Sequence, residues 1–393
     1  MGVLEKILEG VAELQYKHAL LILIVFLIFT IFMLFGAVKI RMESDINKEM
    51  PQQLPIYQLN DKIKDSFGGQ DSIILLFSLD NKNNYKKAPK DIRDPEVINY
   101  IIKFHNELKN ENSIDNVLSI ASYLPSNYNF KSIEEVKFLL NQNPQLNMFF
   151  SKDYKDMMMF IESDVGSSEE KVKALNELID QKIKDMSLPA GVKVMKTGTP
   201  PMRITVFEML GRDALYTLTL AAIIILFLLF ITEGSFTKGM LAFLPLTFGL
   251  IWTAGTMGWL GIKLSIATVG LGAMLLGLGV EYGVFMLTRY KEERKKGNNQ
   301  ENALKKAVPS VGSAMLGSGG TTIVGFLALT LSIMPMMKHL GISLAIGIFY
   351  SLMAAVLLAP IIIVLEERFE FWYSHRNYER AKIKKESLRG NEL

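Results

Sequence analysis

Residues Leu264–Thr288 read LSIATVGLGAMLLGLGVEYGVFMLT, and this stretch decides the fold. It carries one charged residue, Glu281. About 20 mostly apolar residues cross a hydrocarbon core, so the run reads as a membrane-spanning helix. An ionised carboxylate inside hydrocarbon costs about 3 kcal/mol or more. Arg289 marks the water edge, and Glu281 lies roughly 12 Å deeper at about 1.5 Å per helical residue. A carboxylate kept at that depth has to be protonated, paired or set against a water-filled path. Each of these points to proton or ion handling.

The same pattern recurs along the chain. Apolar runs at 18–38, 213–231, 239–258, 264–288, 311–333 and 340–364 give six candidate spans among 393 residues. Hydrophobic residues make up 49% of the chain and are clustered in these runs. The first run is longer than a signal-peptide core, and no small-x-small cleavage pattern follows it. It reads as a retained helix. Cysteine is absent, which excludes disulfides, thiolate metal sites and cysteine nucleophiles. Four widely spaced histidines give no metal-ligand spacing. No P-loop, nucleophile elbow or metal motif is present, so an enzyme is not expected. The net charge of +3 is too small to suggest nucleic acid as a partner.

Orientation follows from Lys and Arg in the short connections. Residues 289–309 carry seven of them, and so does the tail after Leu365. Both ends of the chain are therefore expected in the cytoplasm. The long segment 39–210 then falls outside. Residues 1–17 place Leu4, Ile7, Leu8, Val11 and Leu14 at helical spacing, as in a helix lying on the cytoplasmic membrane surface. The tail 366–393 mixes basic residues with Phe369, Phe371, Trp372, Tyr373 and Tyr378.

Segment 39–210 reads as a folded α+β domain. Helices are expected at 55–66, 95–109, 132–142 and from the Ser167–Glu170 capping box to 186. Strands are expected at 72–79, 114–121, 156–162 and 192–196. The order βαβ, an extra helix, then βαβ predicts a ferredoxin-like sheet with helices on one face. The sequence Thr197–Pro201 (TGTPP) reads either as a stiff linker into spans 211–365 or as an ordinary turn, and the residues favour neither. Asn147–Phe150 and Met157–Met159 are apolar enough to meet greasy substrates, although a core role is the simpler reading.

Two clusters carry the candidate chemistry. The fourth span holds Gly277, Gly279 and Gly283 around Glu281 and Tyr282. Small residues let helices approach closely in lipid, and Gly277 shares a face with Glu281, so a neighbouring helix is expected there. The fifth span opens with Gly317, Ser318, Gly320, Thr321 and Thr322. Their hydroxyls are candidates to bond Glu281 or line a water wire. The competing reading is close packing, with hydroxyls returned to their own backbone.

Two stretches, GLGVEYGVFMLTRYKEER (277–294) and GSGGTTIVGFLALTLSIMPMMKHLGI (317–342), resemble the fourth-helix signature and the following helix pair of the resistance–nodulation–division (RND) superfamily. The resemblance is nearest to its hydrophobe/amphiphile exporter branch, which includes the mycobacterial large membrane proteins (MmpL). Asp45, Met50-Pro51, Pro55 and Phe67-Gly68-Gly69 fit more weakly. The resemblance implies an external porter domain inserted between helices 1 and 2. It also implies proton-driven export of hydrophobic or amphiphilic, lipid-like molecules from a prokaryotic plasma membrane, and it puts the proton relay at Glu281.

Two departures stand out. Glu replaces the usual Asp, and one six-span half is present where typical members have two. A homodimer giving a 6+6 bundle, with two Glu281 near its axis, completes the unit. No cofactor is expected; the proton gradient supplies energy, with Na+ as the other ion the residues allow. The superfamily also includes sterol-sensing-type lipid-binding proteins and accessory subunits of protein secretion, which are the alternative functional classes.

Overall fold

The computed structural model describes residues 2–43, 49–67, 72–80, 88–163, 165 and 169–373. Asp45, Gly68, Gly69, Ser167 and Tyr378, named above, lie outside the described residues. The chain divides into two compact units, residues 44–209 and residues 1–43 with 210–393.

In the unit 44–209, α1 (Pro55–Phe67) precedes β1 (Ser72–Leu79), α2 (Pro95–Lys109), β2 (Asn116–Leu118), α3 (Ile133–Gln142), β3 (Asp156–Glu162), α4 (Glu169–Asp185) and β4 (Val192–Gly198). The strands form one antiparallel sheet in the order β2-β3-β1-β4. That order, with α2 and α4 as crossovers, is the split-βαβ arrangement. Alternation in β1 explains its position. Ile73, Leu75 and Phe77 are fully buried, as are Met157, Met159 and Ile161 across the register. The methionines of β3 are therefore core on this face. Met148 stays exposed while Phe149 and Phe150 are buried. Asp94 caps α2 by accepting from the Glu96 N–H, and Ser132 caps α3 by accepting from that of Glu135.

Two local expectations need correction. The strand expected at 114–121 is only Asn116–Leu118, because Ser119 and Ser122 form a reciprocal cap. Ser119 Oγ accepts from the Ala121 N–H and Ser122 Oγ from the Ser119 N–H, which starts a 3-10 turn at Ile120. The sequence TGTPP is not a separate linker. Its first two residues end β4, and α5 (Thr199–Glu233) follows at once with both prolines in its first turn. Gly198 makes this junction possible. Its φ of +107° suits glycine, and a Cβ there would run into the Ser72 carbonyl.

The other unit is helical. It contains α6 (Val3–Lys17), α7 (Ala19–Ala37), the later part of α5, α8 (Phe236–Leu260), α9 (Leu271–Lys295), α10 (Gln300–Ala328) and α11 (Pro335–Met353). The helix of α11 runs on through a π turn (Ala354–Leu358) to Tyr373. Among the described residues, six helices are long and apolar enough to cross a membrane: α5, α7, α8, α9, α10 and the last helix, Pro335–Tyr373. The cores of α7 and α8 meet at Trp252, whose indole N–H donates to Thr30 Oγ1 at 2.8 Å. α6 buries Leu8, Ala12 and Gln15 and leaves Val3, Leu4, Ile7 and Leu14 exposed.

The spans differ from the apolar runs at their ends. Residues 264–270 of the opening stretch are not helical. Leu264 donates its N–H to the Arg41 carbonyl at 2.9 Å and accepts from the Glu43 N–H at 2.7 Å. Lys263 and Glu43 close the same junction as an ion pair at 2.6 Å. The helix starts at Leu271 and continues past Arg289 to Lys295, which places Glu281 near its middle. Residues 289–309 are therefore mostly two helix ends joined by a short turn.

Candidate functional site

Helix α9 gets its orientation from two glycines on one flank. A Cβ on Gly279 would sit 2.5 Å from Leu246 Cδ1 and 3.0 Å from Ser351 Oγ. A Cβ on Gly283 would collide with the Ala242 carbonyl. These positions let α8 and the last helix pack directly on α9. Gly279 and Gly283 thus form one contact edge.

Glu281 points elsewhere. It belongs to an exposed stripe of Met274, Gly277, Leu278, Glu281, Phe285 and Thr288, which is one side of α9 at helical spacing. Its carboxylate makes no hydrogen bond or ion pair with any described residue. Gly277 on the same stripe meets no atom of another described element within 4 Å of where its Cβ would be, so among the described residues no helix covers the stripe there. The sequence showed that 277 and 281 share a face; it did not show that the bundle leaves this face outermost.

The neighbouring helix α10 presents Gly317, Ser318 and Thr321 on its own exposed side. Gly317 and Gly320 also have open space at the Cβ position, while Gly319 packs on Leu352. The hydroxyls of Thr321 and Thr322 donate to the Ser318 carbonyl at 2.7 and 3.1 Å. Their protons are thus committed to their own helix, and their oxygens keep acceptor capacity. Tyr282, 2% exposed, turns inward from the stripe.

Tyr282 and Ser318 line one groove of about 440 Å³ between α9 and α10. Phe285, Val311, Ala314 and Met315 form its apolar part, and Thr288, Arg289, Glu292 and Ser310 its polar end. Glu281, Thr321 and Thr322 are not among its lining residues. The arrangement sets an acid on an apolar outer face beside a groove that leads toward the charged end of α9.

That charged end holds residues that motif reading passed over. Glu367 accepts from Tyr290 Oη, from Arg294 Nε at 3.0 Å and from Gln300 Nε2 at 3.2 Å. Lys291 pairs with Glu233 at the end of α5. Arg289 pairs with Glu292 at 3.0 Å and Glu293 at 3.2 Å. The ends of α5, α9, α10 and the last helix are tied together by these contacts. The only sequence signal was the density of opposite charges after residue 288.

A model of the MMPL family matches residues 68–386. A Methanocaldococcus jannaschii protein whose name describes it as a membrane protein is 34% identical over 370 residues, covering 93% of this chain and 95% of that one. The siderophore exporter MmpL5 of Mycobacterium tuberculosis is 28% identical over 207 residues, 51% of this chain and 21% of the exporter. The sulfolipid-1 exporter MmpL8 of the same species is 32% identical over 119 residues, 30% of this chain and 11% of the exporter. The matches to these mycobacterial exporters thus cover only a small part of their length. The chain belongs to the MMPL family of membrane proteins, whose MmpL transporters are of the RND type.

Proposed function

We propose that this protein exports hydrophobic or amphiphilic, lipid-like molecules across a prokaryotic plasma membrane, driven by protons relayed through Glu281. The observation that carries the reading is the place of Glu281 on the open, apolar side of α9. A charge facing hydrocarbon is expensive, so this face is built either to gain a proton or to be covered. A second copy would cover it. Two identical faces meet across a two-fold axis, the apolar stripes bury one another, and two Glu281 come near that axis. The exporter names of the mycobacterial relatives support a lipid-like cargo.

In this reading, proton uptake neutralises Glu281 and lets the α9–α10 face repack in an apolar setting. Release toward the cytoplasm restores the charge. Tyr282 and Ser318 border the path along the groove, and Thr321 and Thr322, which lie outside its lining, offer acceptor oxygens one turn beyond Ser318. Residues 39–210 form an external porter-like domain inserted between the first two spans. Both termini are cytoplasmic, in keeping with the seven Lys/Arg in 289–309.

The test is Glu281→Gln in proteoliposomes holding a trapped pH-sensitive dye and a fluorescent long-chain amphiphile. The variant should keep its helical circular dichroism and lose gradient-dependent movement of proton and probe. Undiminished movement overturns the relay.

A further inference from the structure

The last helix contains Pro360, which has no N–H to give to the carbonyl of Val356, four residues earlier. The backbone answers with the π turn at Ala354–Leu358, in which the Ala359 N–H reaches the Ala354 carbonyl. A donor for Val356 comes instead from the other end of the chain. Gln15 Nε2 on α6 donates to the Val356 carbonyl at 2.9 Å and to that of Leu357 at 3.0 Å. The Gln15 side chain is buried, and its own Oε1 has no partner. A buried amide that gives up its acceptor is held there for its donor.

The turn sits at a junction of the bundle. Ala354 and Leu358 pack with Met33 and Trp252. Ser351, three residues before the turn, fits against Gly249 on α8 and Gly279 on α9. The register of the last helix at this turn therefore sets what lies beside Gly279, two residues from Glu281. Around Gln15, α6 is held by Leu8 against Gly312 and by the Tyr16 carbonyl, which accepts from Arg368 at 2.9 Å.

We infer that Gln15 is a surrogate backbone donor for Pro360, and that through this bond α6 latches the last helix in its π-turn form and positions it against α9. Gln15 is thus a positioning residue. The bond stands on its own geometry; its consequence for transport rests on the relay reading above.

The inference predicts a specific rescue. Pro360→Ala restores the missing N–H, so the loss caused by Gln15→Ala should disappear when Pro360→Ala is added. Hydrogen exchange of peptides covering residues 350–365 reads this in the purified full-length protein. Gln15→Ala should speed exchange about tenfold, and the double variant should return to within about twofold of the parent. Exchange unchanged in Gln15→Ala, or equally fast in the double variant, overturns the surrogate role. If Gln15→Ala does not fold, a folded double variant is the same rescue, and failure of both overturns it. Proton and probe movement in proteoliposomes should fall in Gln15→Ala and recover in the double variant. A parent protein that moves neither refutes the transport reading alone, because the exchange result still decides the bond.

Discussion

Gly283 of α9 lies against the backbone carbonyl of Ala242 on α8, with no room for a Cβ between them. One turn further toward the helix N-terminus, Leu246 and Ser351 close on Gly279 in the same way. Gly277, on the other side of α9, has no other described element within 4 Å of its Cβ position. Gly283→Ala should therefore separate α8 from α9 at a cost of about 1–3 kcal/mol, whereas in the detergent-separated single chain Gly277→Ala should leave stability unchanged or raise it slightly through helix propensity. Thermal unfolding of the two variants in detergent checks the contrast. Equal loss in both would show that the exposed stripe is packed in the folded protein, possible within this chain only if α9 were turned about its axis.

Glu281 should react with a hydrophobic carbodiimide, which attacks protonated carboxyls from the apolar phase. Its exposed position on α9 gives the reagent access without unfolding. Mass spectrometry of intact protein treated between pH 5 and 10 should find the label on the Glu281 peptide. Absence of labelling across that whole range, in intact protein, would mean a sealed or ion-paired carboxylate and would remove the physical basis for a relay.

Much of this architecture was legible in the chain. Short apolar runs placed β1 and β3, and Asp94-Pro95 and the Ser132 capping box marked the starts of α2 and α3. The reading failed where side chains outcompeted the backbone pattern, as at Ser119, and where an extended pairing displaced a helix, as at Leu264 with Arg41. The candidate site was legible in composition but not in orientation. A lone Glu281 among glycines is visible in sequence, but which side of α9 the bundle covers depends on where Leu246, Ser351 and Ala242 arrive from other helices. The bond from Gln15 to Val356 joins residues 341 positions apart, and no local pattern announces it.

The homodimer can be tested with the chain's own chemistry. It has no cysteine, so one introduced thiol reports only on itself. Leu278 lies on the Glu281 stripe and is 39% exposed; Ile28, on α7, is 62% exposed. In membranes, Leu278→Cys should form a disulfide-linked or short-linker dimer, and Ile28→Cys should not, despite its greater exposure. Equal yields from both positions would indicate random collision and would leave the Glu281 face without a partner copy.

His105 gives the α+β unit a pH dependence of its own. It is 4% exposed on α2, and its Nδ1 lies 3.0 Å from Ser119 Oγ at the point where β2 ends. Burial, with a smaller contribution from nearby Lys109, holds its protonation below the ordinary histidine range. The unfolded chain therefore binds this proton at a higher pH than the folded one. The stability linked to His105 is fully present above the ordinary value of about 6.5. It falls as pH drops below that value and levels off once the folded form is also protonated. Amide exchange of peptides covering residues 97–121 in the full-length protein should accelerate between pH 6.5 and 5, after correction for the intrinsic pH dependence of exchange. His105→Gln keeps a polar group beside Ser119 and cannot titrate, so its corrected exchange should be flat over the same range. A variant that keeps the acid-dependent acceleration would assign it to other groups.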